Sequence, residues 1–390
     1  MSDLLAMAVF AGLVLLLAYV HVGYPVLMAL LARKFPRSLK PGNSGPSPTF
    51  SVLLCVHNEA ARIEARLQNL ASLTWPGPVE FIVVCDGCTD QTADVARKTS
   101  PLVKVLEQPM KSGKPAGLNA AASVATGDLL VFCDARQTFA QNAIQHLAAP
   151  FADLEVGAVS GSLEIAGSEA GGGQGVDLYW KLEKKLREWE GQFNSVVGCT
   201  GAIYVLRRDL YRPLPPDTLL DDVVLPMQAV IQGKRVLFNP AARAFDPQTL
   251  DPEVESRRKL RTLAGNYQML VRHPVWLIPG KCPIWWQVIS HKYLRLAVPW
   301  MLGLLLMVTV LLLRHPLFVA AFAGQVLCYA LAAAGMLFPG IKHKALSIPA
   351  GFLLLQTANL RALFAWLASL KDPNRLWRQP PARRSPPPTP

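Results

Sequence analysis

The chain has 390 residues, of which 51% are hydrophobic, and it carries a formal net charge of +12. The apolar content favours membrane-spanning segments beside one large domain. Nucleic acid is not predicted as a partner, because the positive charge is separated from the acidic part of the chain. Residues 41–255 hold 25 acidic residues and 18 Lys and Arg, whereas the remainder carries a net +19 beside apolar runs. That separation is typical of membrane flanks on a cytoplasmic face.

Residues 1–40 predict a transmembrane helix followed by a basic flank. No Lys, Arg, Asp or Glu occurs from Leu4 to Leu31, and a helix that spans a bilayer needs roughly 20 apolar residues. A cleaved signal peptide is the alternative, but this apolar run is too long for one, and its positive charge follows rather than precedes it. The positive-inside rule then predicts a multi-pass protein of the cell inner membrane whose middle domain faces the cytosol.

Residues 41–255 predict an α/β domain that opens with a Pro- and Gly-rich linker. Short apolar runs alternate with segments of helical periodicity. The predicted strands cover residues 50–56, 79–85, 103–106, 129–133 and 156–160. This alternation is typical of a mostly parallel sheet that binds ligands at the carboxyl ends of its strands. A later helix at residues 176–193 either lines the membrane face or packs against the core.

Three further segments are predicted after the acidic domain. Residues 256–292 form a basic, Trp-containing stretch along the membrane interface, 293–371 hold two to three membrane segments, and 372–390 form a disordered, basic, Pro-rich tail. The last membrane segment contains Gln356, Asn359 and Arg361, whose polar groups should face protein or a path for lipid headgroups. The basic tail favours the cytosolic side, whereas three full spans would place it outside; a re-entrant or interfacial last segment is the alternative.

Polar or charged residues follow the predicted strands of the α/β domain. In chain order they are Asn58-Glu59, Asp86, Gly113-Lys114, Asp134-Ala135-Arg136, Thr200-Gly201 and Asp221-Asp222. Taken together, these motifs resemble those of the membrane-bound glycosyltransferases of family 2, which have the GT-A fold. That family includes the synthases of cellulose, hyaluronan and poly-N-acetylglucosamine, and ceramide glucosyltransferase. The resemblance covers roughly residues 50–262.

The resemblance implies an enzyme that transfers a hexose from a UDP-sugar to a lipid or glycan acceptor at the membrane, with inversion at the anomeric carbon. It further implies Mg²⁺ or Mn²⁺ as cofactor. Other subunits of a glycan-synthesis system are candidate partners. The alternative function is that of a degenerate homologue, which binds nucleotide or glycan as an assembly subunit.

Seven residues are predicted to bind the nucleotide sugar: Asn58, Glu59, Asp86, Lys114, Asp134, Arg136 and Arg261. Asn58 and Glu59 lie in the nucleotide pocket, and Asp86 contacts uridine, with an N-cap or turn role as the alternative for Asp86. Lys114 meets a phosphate as a point charge or is an ordinary surface lysine. Arg261 stands where processive relatives carry a Q-x-x-R-W motif, and it is implied to clamp the diphosphate. The Gln and Trp of that motif are missing, which argues against long polymers.

Asp134 corresponds to the first Asp of the family's DxD motif, which binds Mg²⁺ or Mn²⁺ through oxygen ligands. The second Asp is replaced by Arg136. Metal binding therefore rests on Asp134 and the diphosphate alone, or Arg136 supplies part of the cation's charge. This replacement favours the assembly-subunit alternative, whereas the presence of Asp86, Asp134 and Asp222 favours the enzyme.

Asp222 is the candidate general base, because the last carboxylate of an acidic pair occupies this position in relatives. Asp221 beside it would raise the proton affinity of the pair. The alternative is that either residue caps the apolar helix that follows. Thr200 and Gly201 resemble the segment beneath the acceptor sugar, where small residues let the acceptor approach.

Overall fold

The computed structural model describes residues 3–40, 47–165, 174–247, 252–338, 340–341, 343–370 and 376. Within these residues, eight strands form one sheet. They are β1 (Phe50–Val56), β2 (Val79–Asp86), β3 (Val103–Gln108), β4 (Leu129–Cys133), β5 (Thr138–Phe139), β6 (Val156–Ile165), β7 (Ile203–Arg207) and β8 (Arg235–Asp246). The five predicted strands are confirmed as β1, β2, β3, β4 and β6, while β5, β7 and β8 are additional.

The strand order across the sheet is β3-β2-β1-β4-β7-β6-β8-β5. Strand β1 pairs in parallel with β2 and β4, β2 with β3, and β6 with β8. Strand β7 runs antiparallel to both β4 and β6, and β5 runs antiparallel to β8. The prediction of a mostly parallel sheet is therefore confirmed, and the carboxyl ends of β1, β2 and β4 meet at one edge.

Helices lie before, between and after the strands. They are α1 (Asp3–Ala18), α2 (Tyr24–Lys34), α3 (Ala60–Ser72), α4 (Thr92–Thr99), α5 (Lys114–Val124), α6 (Ala143–Ala148), α7 (Gln174–Phe193), α8 (Asp221–Ile231), α9 (Pro252–Arg272), α10 (Leu294–Leu311), α11 (Pro316–Leu337) and α12 (Lys344–Ser369). A π-helical turn at Tyr19–Gly23 joins α1 to α2, and another at Val288–Tyr293 precedes α10.

Two apolar cores flank the sheet. In β1, Val52 and Leu54 belong to one core and Leu53 to the other, because successive side chains of a strand face opposite sides. The first core includes residues of α3, α4 and α6, and the second includes residues of α5 and α8. Since both faces are covered, strands β1 and β4 are nearly continuous apolar runs.

Among the described residues, four helical stretches are long and apolar enough to cross a membrane. They are Asp3–Lys34, Trp285–Leu311, Pro316–Leu337 and Lys344–Ser369. In the last stretch Gln356 and Asn359 are buried, and Asn359 accepts a hydrogen bond of 2.7 Å from the hydroxyl of Tyr267 in α9. These two side chains face protein as predicted, whereas Arg361 is exposed.

A buried polar network joins the first and second apolar stretches to α7. The Tyr24 hydroxyl donates to Glu190 Oε1 over 2.5 Å, and the two ring nitrogens of His291 lie 2.8 Å from Glu190 and 2.7 Å from Glu183. Arg295 donates to the second oxygen of Glu183 over 2.7 Å. Leu186 of α7 is fully buried in the same contact. Helix α7 thus packs against two of the apolar stretches, a contact compatible with either predicted role for it, and the choice between the two stays open.

Trp276 corrects one expectation for the interfacial segment 256–292. Its indole is only 4% exposed and stacks on His273 at 4.3 Å, so it packs in the protein core and does not face lipid. Trp286 donates from its indole nitrogen to the Tyr19 hydroxyl over 2.8 Å. Linker residues 41–46, and the predicted tail apart from residue 376, lie outside the described residues.

The packing of α5 on the sheet yields a stability prediction. A Cβ added at Gly117 would overlap Cys55 Sγ of β1. We expect Gly117→Ala to lower the free energy of unfolding by about 1–3 kcal/mol through overpacking, although alanine alone favours a helix by about 1 kcal/mol. Thermal unfolding of the detergent-solubilised chain measures the change.

The double variant Cys55→Ala/Gly117→Ala is the matched control, because it removes the overlapping sulfur. We expect it to recover most of the loss. Equal stability of Gly117→Ala and the wild type would contradict the close packing of α5 on β1.

Candidate active site

Four acidic side chains converge where β2 and β4 end and α8 begins. Asp86 is the last residue of β2, Asp134 directly follows β4, and Asp221 and Asp222 are the first two residues of α8. Because neighbouring parallel strands end at the same edge of the sheet, residues far apart in the sequence are brought together here. The structure therefore assembles the predicted acidic residues at one place.

Lys114, the first residue of α5, connects two of these acids. Its Nζ lies 3.0 Å from Asp134 Oδ1 and 3.4 Å from Asp221 Oδ2. Its side chain is 23% exposed, so the alternative of an ordinary surface lysine is wrong. Burial opposes the ammonium charge, yet Asp134, Asp221 and Asp222 outweigh it and raise the pKa of Lys114. Burial likewise opposes the Asp134 carboxylate, but Lys114 holds the pKa of Asp134 below its usual value.

Asp222 is held by the loop that precedes β7. Its Oδ2 accepts a hydrogen bond of 3.1 Å from the Gly201 amide, and the N-cap of α8 is Leu220, which makes no side-chain cap bond. The capping alternative for Asp222 is therefore not supported. Burial, followed by the charge of Asp221, raises the pKa of Asp222 to about 6. A carboxyl group with this pKa is suited to accept a proton near neutral pH.

The Gly201 position is sterically tight. An added Cβ would lie 2.9 Å from Asp222 Oδ2. Thr200 beside it receives a hydrogen bond of 2.8 Å from Arg187 of α7, and its amide donates to Ser160 over 2.9 Å. Arg187 and Ser160 were not predicted as site residues from the sequence. Their signal is weak, because an Arg on an amphipathic helix and a Ser within a strand are common residues.

Asp86 binds backbone rather than capping a helix. Its two carboxylate oxygens accept from the amides of Ser112 and Gly113 over 2.6 and 2.9 Å, which fixes the loop before α5. Asp90 fills the turn role instead, since it accepts from Thr92 over 3.1 Å. The cap alternative for Asp86 is wrong, whereas its contact with uridine stays a prediction.

Asn58 and Glu59 lie beside this strand end. Asn58 has a left-handed backbone (φ 56°), and its amide oxygen accepts from the Thr89 amide over 2.8 Å. The Glu59 amide donates to Thr92 over 2.9 Å, and its carboxylate pairs with Arg62 at 2.9 Å. The structure thus brings both residues to the edge where Asp86 lies, and their nucleotide-binding role stays a prediction.

Arg136 pairs with an acid that the sequence analysis missed. Its guanidinium donates to Asp246 Oδ2, and Gln137 donates to the same oxygen over 3.0 Å. Arg258 of α9 lies 3.9 Å from that oxygen. Asp246 is the last residue of β8, and this strand was not predicted, so no sequence signal pointed to it.

Arg261 lies on the same helix as Arg258 and approaches the acidic cluster. Burial lowers the pKa of Arg261, against the opposing effect of Asp221. Helix α9 packs closely on Leu220, the residue just before α8. A Cβ added at Gly265 would lie only 2.5 Å from Leu220 Cγ. The predicted contact of Arg261 with a diphosphate stays a prediction.

Comparison with known proteins identifies the domain. Residues 51–214 match the family model described as glycosyl transferase family 2. The chain carries a family 2 glycosyltransferase domain. The chain is 24% identical over 241 residues to a probable glycosyltransferase, YdaM, of Bacillus subtilis. It is 27% identical over 250 residues to an N-acetylglucosaminyltransferase of Rhizobium meliloti. These matches cover 58% and 59% of this chain and 57% and 58% of the two relatives, so the chain spans less than two thirds of their length.

Two further proteins are similar to this chain. A beta-monoglucosyldiacylglycerol synthase of Nostoc sp. is 30% identical over 193 residues, covering 47% of this chain and 39% of that protein. A mannosyltransferase from Pyrobaculum calidifontis, solved with GDP-Man and Mn²⁺, matches with a TM-score of 0.68 and 22% identity. That match covers 92% of this chain and 99% of the other. The predicted GT-A fold is therefore confirmed.

The acids of the family 2 domain do not fit a divalent cation as they are arranged. One oxygen of Asp134 is engaged by Lys114, and one oxygen of Asp246 by Arg136 and Gln137. In the part of the chain that the structure describes, no group of three or more His, Cys, Asp or Glu is placed to hold a metal ion. Binding of Mg²⁺ or Mn²⁺ at Asp134 stays a prediction.

The Lys114 contacts yield a second stability prediction. We expect Lys114→Met to lower the free energy of unfolding at pH 7 by about 3 kcal/mol, because it leaves Asp134 without the cation that touches it. The depressed pKa of Asp134 stabilises the fold above the usual carboxyl range, and this contribution is lost as the pH falls. The deficit should therefore shrink towards about pH 4, where Asp134 of the variant takes up a proton.

Chemical unfolding at several pH values measures this deficit. Lys111→Met is the matched control, because Lys111 lies in the same loop and is exposed. A loss of equal size in both variants would contradict the role of Lys114 in joining α5 to Asp134.

Proposed function

We propose that the chain is an inverting glycosyltransferase that moves a sugar from a UDP-sugar to a membrane-associated lipid or glycan acceptor. The observation that carries this proposal is the Asp222 carboxylate, which is aligned by the Gly201 amide and has a pKa of about 6. It lies beside Lys114, Asp134 and Asp221 at the edge where such sheets bind ligands.

The geometry supports a single displacement at the anomeric carbon. Asp222 takes the proton of the acceptor hydroxyl while the acceptor oxygen forms a bond to that carbon. The bond from the same carbon to the phosphate oxygen breaks, and its electron pair leaves with the diphosphate. Attack from the face opposite the leaving group inverts the configuration.

The cations of the site have separate tasks in this step. Lys114 and Arg261 lie within electrostatic reach of the acidic cluster and provide positive charge for the departing diphosphate. Lys114 also keeps Asp134 ionised, whereas Asp222 retains a higher proton affinity. Two carboxyl groups a short distance apart are thereby given different protonation behaviour, which suits one to charge compensation and the other to proton transfer.

The acceptor is proposed to reach the site from the membrane. The four apolar stretches and the contact of α7 with Tyr24 and His291 bring a bilayer close to the domain. The resemblance to a beta-monoglucosyldiacylglycerol synthase supports a lipid acceptor. The missing Trp of the Q-x-x-R-W motif favours short products over long polymers. We place the protein in the inner membrane with several spans and its domain on the cytosolic side, where nucleotide sugars are made.

Washed membranes that contain the chain test this proposal with labelled UDP-sugars and, because the mannosyltransferase relative binds it, GDP-mannose. We expect label from one UDP-sugar in the lipid extract or in a short glycan. Asp222→Asn should lower kcat by about 10²–10⁴-fold, since the amide cannot accept the proton.

Asp94→Asn is the matched control, because Asp94 lies on α4 with its side chain 68% exposed. It should leave transfer unchanged. The enzyme proposal fails if the wild type transfers no label, or if Asp222→Asn transfers as fast as the wild type; the first result would favour an assembly subunit.

The protonation of Asp222 sets an expected pH profile. Only the carboxylate form accepts a proton, so the raised pKa of about 6 reduces the active fraction in acid. We expect kcat/KM to fall about tenfold per pH unit below that pKa and to level off above it. Initial rates in a series of buffers measure the profile, and a rate that does not change across the pKa of Asp222 would contradict the assignment.

A further inference from the structure

Arg136 occupies a position of unusual charge for this family 2 domain. It follows β4 two residues after Asp134, where the DxD pattern has a second Asp. An exchange of Asp for Arg changes the local charge by two units, which equals the charge of one Mg²⁺ or Mn²⁺. Relative to the DxD pattern, Arg136 therefore adds a positive charge equal to that of one divalent cation.

The contacts of Arg136 fix its guanidinium at this edge of the sheet. Its side chain is 21% exposed and pairs with Asp246, whose side chain is 9% exposed. Gln137 donates to the same Asp246 oxygen over 3.0 Å, and Arg258 lies 3.9 Å away. A carboxylate oxygen that already receives these donors is poorly suited to bind a hard cation, which prefers oxygens free to coordinate it.

Arg136 retains donor capacity that its contacts with the chain do not use. Its Nε is buried and has no hydrogen-bond partner among the described residues. A planar guanidinium can bind two phosphate oxygens at once, whereas an ammonium binds as a point charge.

We propose that Arg136 supplies the positive charge that a divalent cation supplies in metal-dependent relatives, so that transfer proceeds without added metal. This inference rests on the proposed glycosyl transfer. Arg136 stabilises the diphosphate as its bond to the sugar breaks, with Asp246 and Gln137 holding the guanidinium in position. Arg258 lies behind Asp246 and adds a second guanidinium to the same region.

Transfer in washed membranes is measured with EDTA and then with added Mn²⁺. We expect the wild-type rate to change less than about twofold in either condition, since the Arg136 guanidinium supplies the positive charge. Arg136→Asp restores the DxD pattern, and it should lose about 100-fold in EDTA and recover with Mn²⁺. Arg136→Lys keeps the positive charge but loses the planar guanidinium that can bind two phosphate oxygens at once. This variant should be slower and still resistant to EDTA.

A second readout does not depend on activity. Mn²⁺ alone is titrated into the purified full chain, and the spectrum of free Mn²⁺ is followed by electron paramagnetic resonance. The wild type should leave that spectrum unchanged, and Arg136→Asp should reduce it. If Arg136→Asp does not fold, the two wild-type measurements still decide the matter.

The outcomes separate the two proposals. Wild-type transfer that is abolished by EDTA and restored by Mn²⁺, or wild-type binding of Mn²⁺ alone, overturns the role of Arg136. Absence of transfer from every donor, with and without Mn²⁺, overturns the proposed function instead.

Discussion

The contact of Lys114 with Asp134 and Asp221 is the interaction on which the site depends. One ammonium group joins the end of β4, the start of α5 and the start of α8, three places that are distant in the sequence. Without that cation, the carboxylates would repel one another in a partly buried region, and burial would favour their neutral forms. The ion pairs therefore fix both the shape of the site and the protonation of its acids.

The same arrangement explains why Asp222 differs from Asp134. Lys114 touches Asp134 directly, while Asp222 is bound by a neutral amide from Gly201 and has Asp221 as its neighbour. Identical side chains thus acquire opposite pKa shifts from their surroundings. The close approach of Gly201 to Asp222 leaves no room for a side chain at position 201, so one contact positions both the Thr200-Gly201 loop and the Asp222 carboxylate.

Much of the fold was predictable from the sequence, because its signals are local. The apolar runs of β1 and β4 and the long uncharged segment at Leu4–Leu31 are visible in the residues themselves. Strand β8 escaped prediction because it contains Pro240, a residue disfavoured within strands, and because its pairing with β6 is set by tertiary contacts.

The candidate site was predictable only in part, for a related reason. Asp86, Asp134 and Asp222 stand in recognisable motifs beside strand ends, and the fold brings them to one edge. Asp246 and Arg187 act through partners more than 10 residues away, and their residue types are common elsewhere on the surface. Trp276 shows the opposite error, since an aromatic residue near basic residues suggested lipid but packs in the core. Residue type alone therefore does not determine whether a side chain is buried, because tertiary contacts also set its burial.

The hydrogen bond between Tyr24 and Glu190 limits which fragments of this protein can keep the structure of the domain. Glu190 is fully buried, and its hydrogen-bond partners are Tyr24 and His291, both in apolar stretches. A fragment that begins after the first of these stretches would lose the Tyr24 donor and uncover Leu186 and Trp189 of α7. Since α7 also holds Thr200 through Arg187, the two apolar stretches that contact α7 belong to the structural unit that positions Thr200.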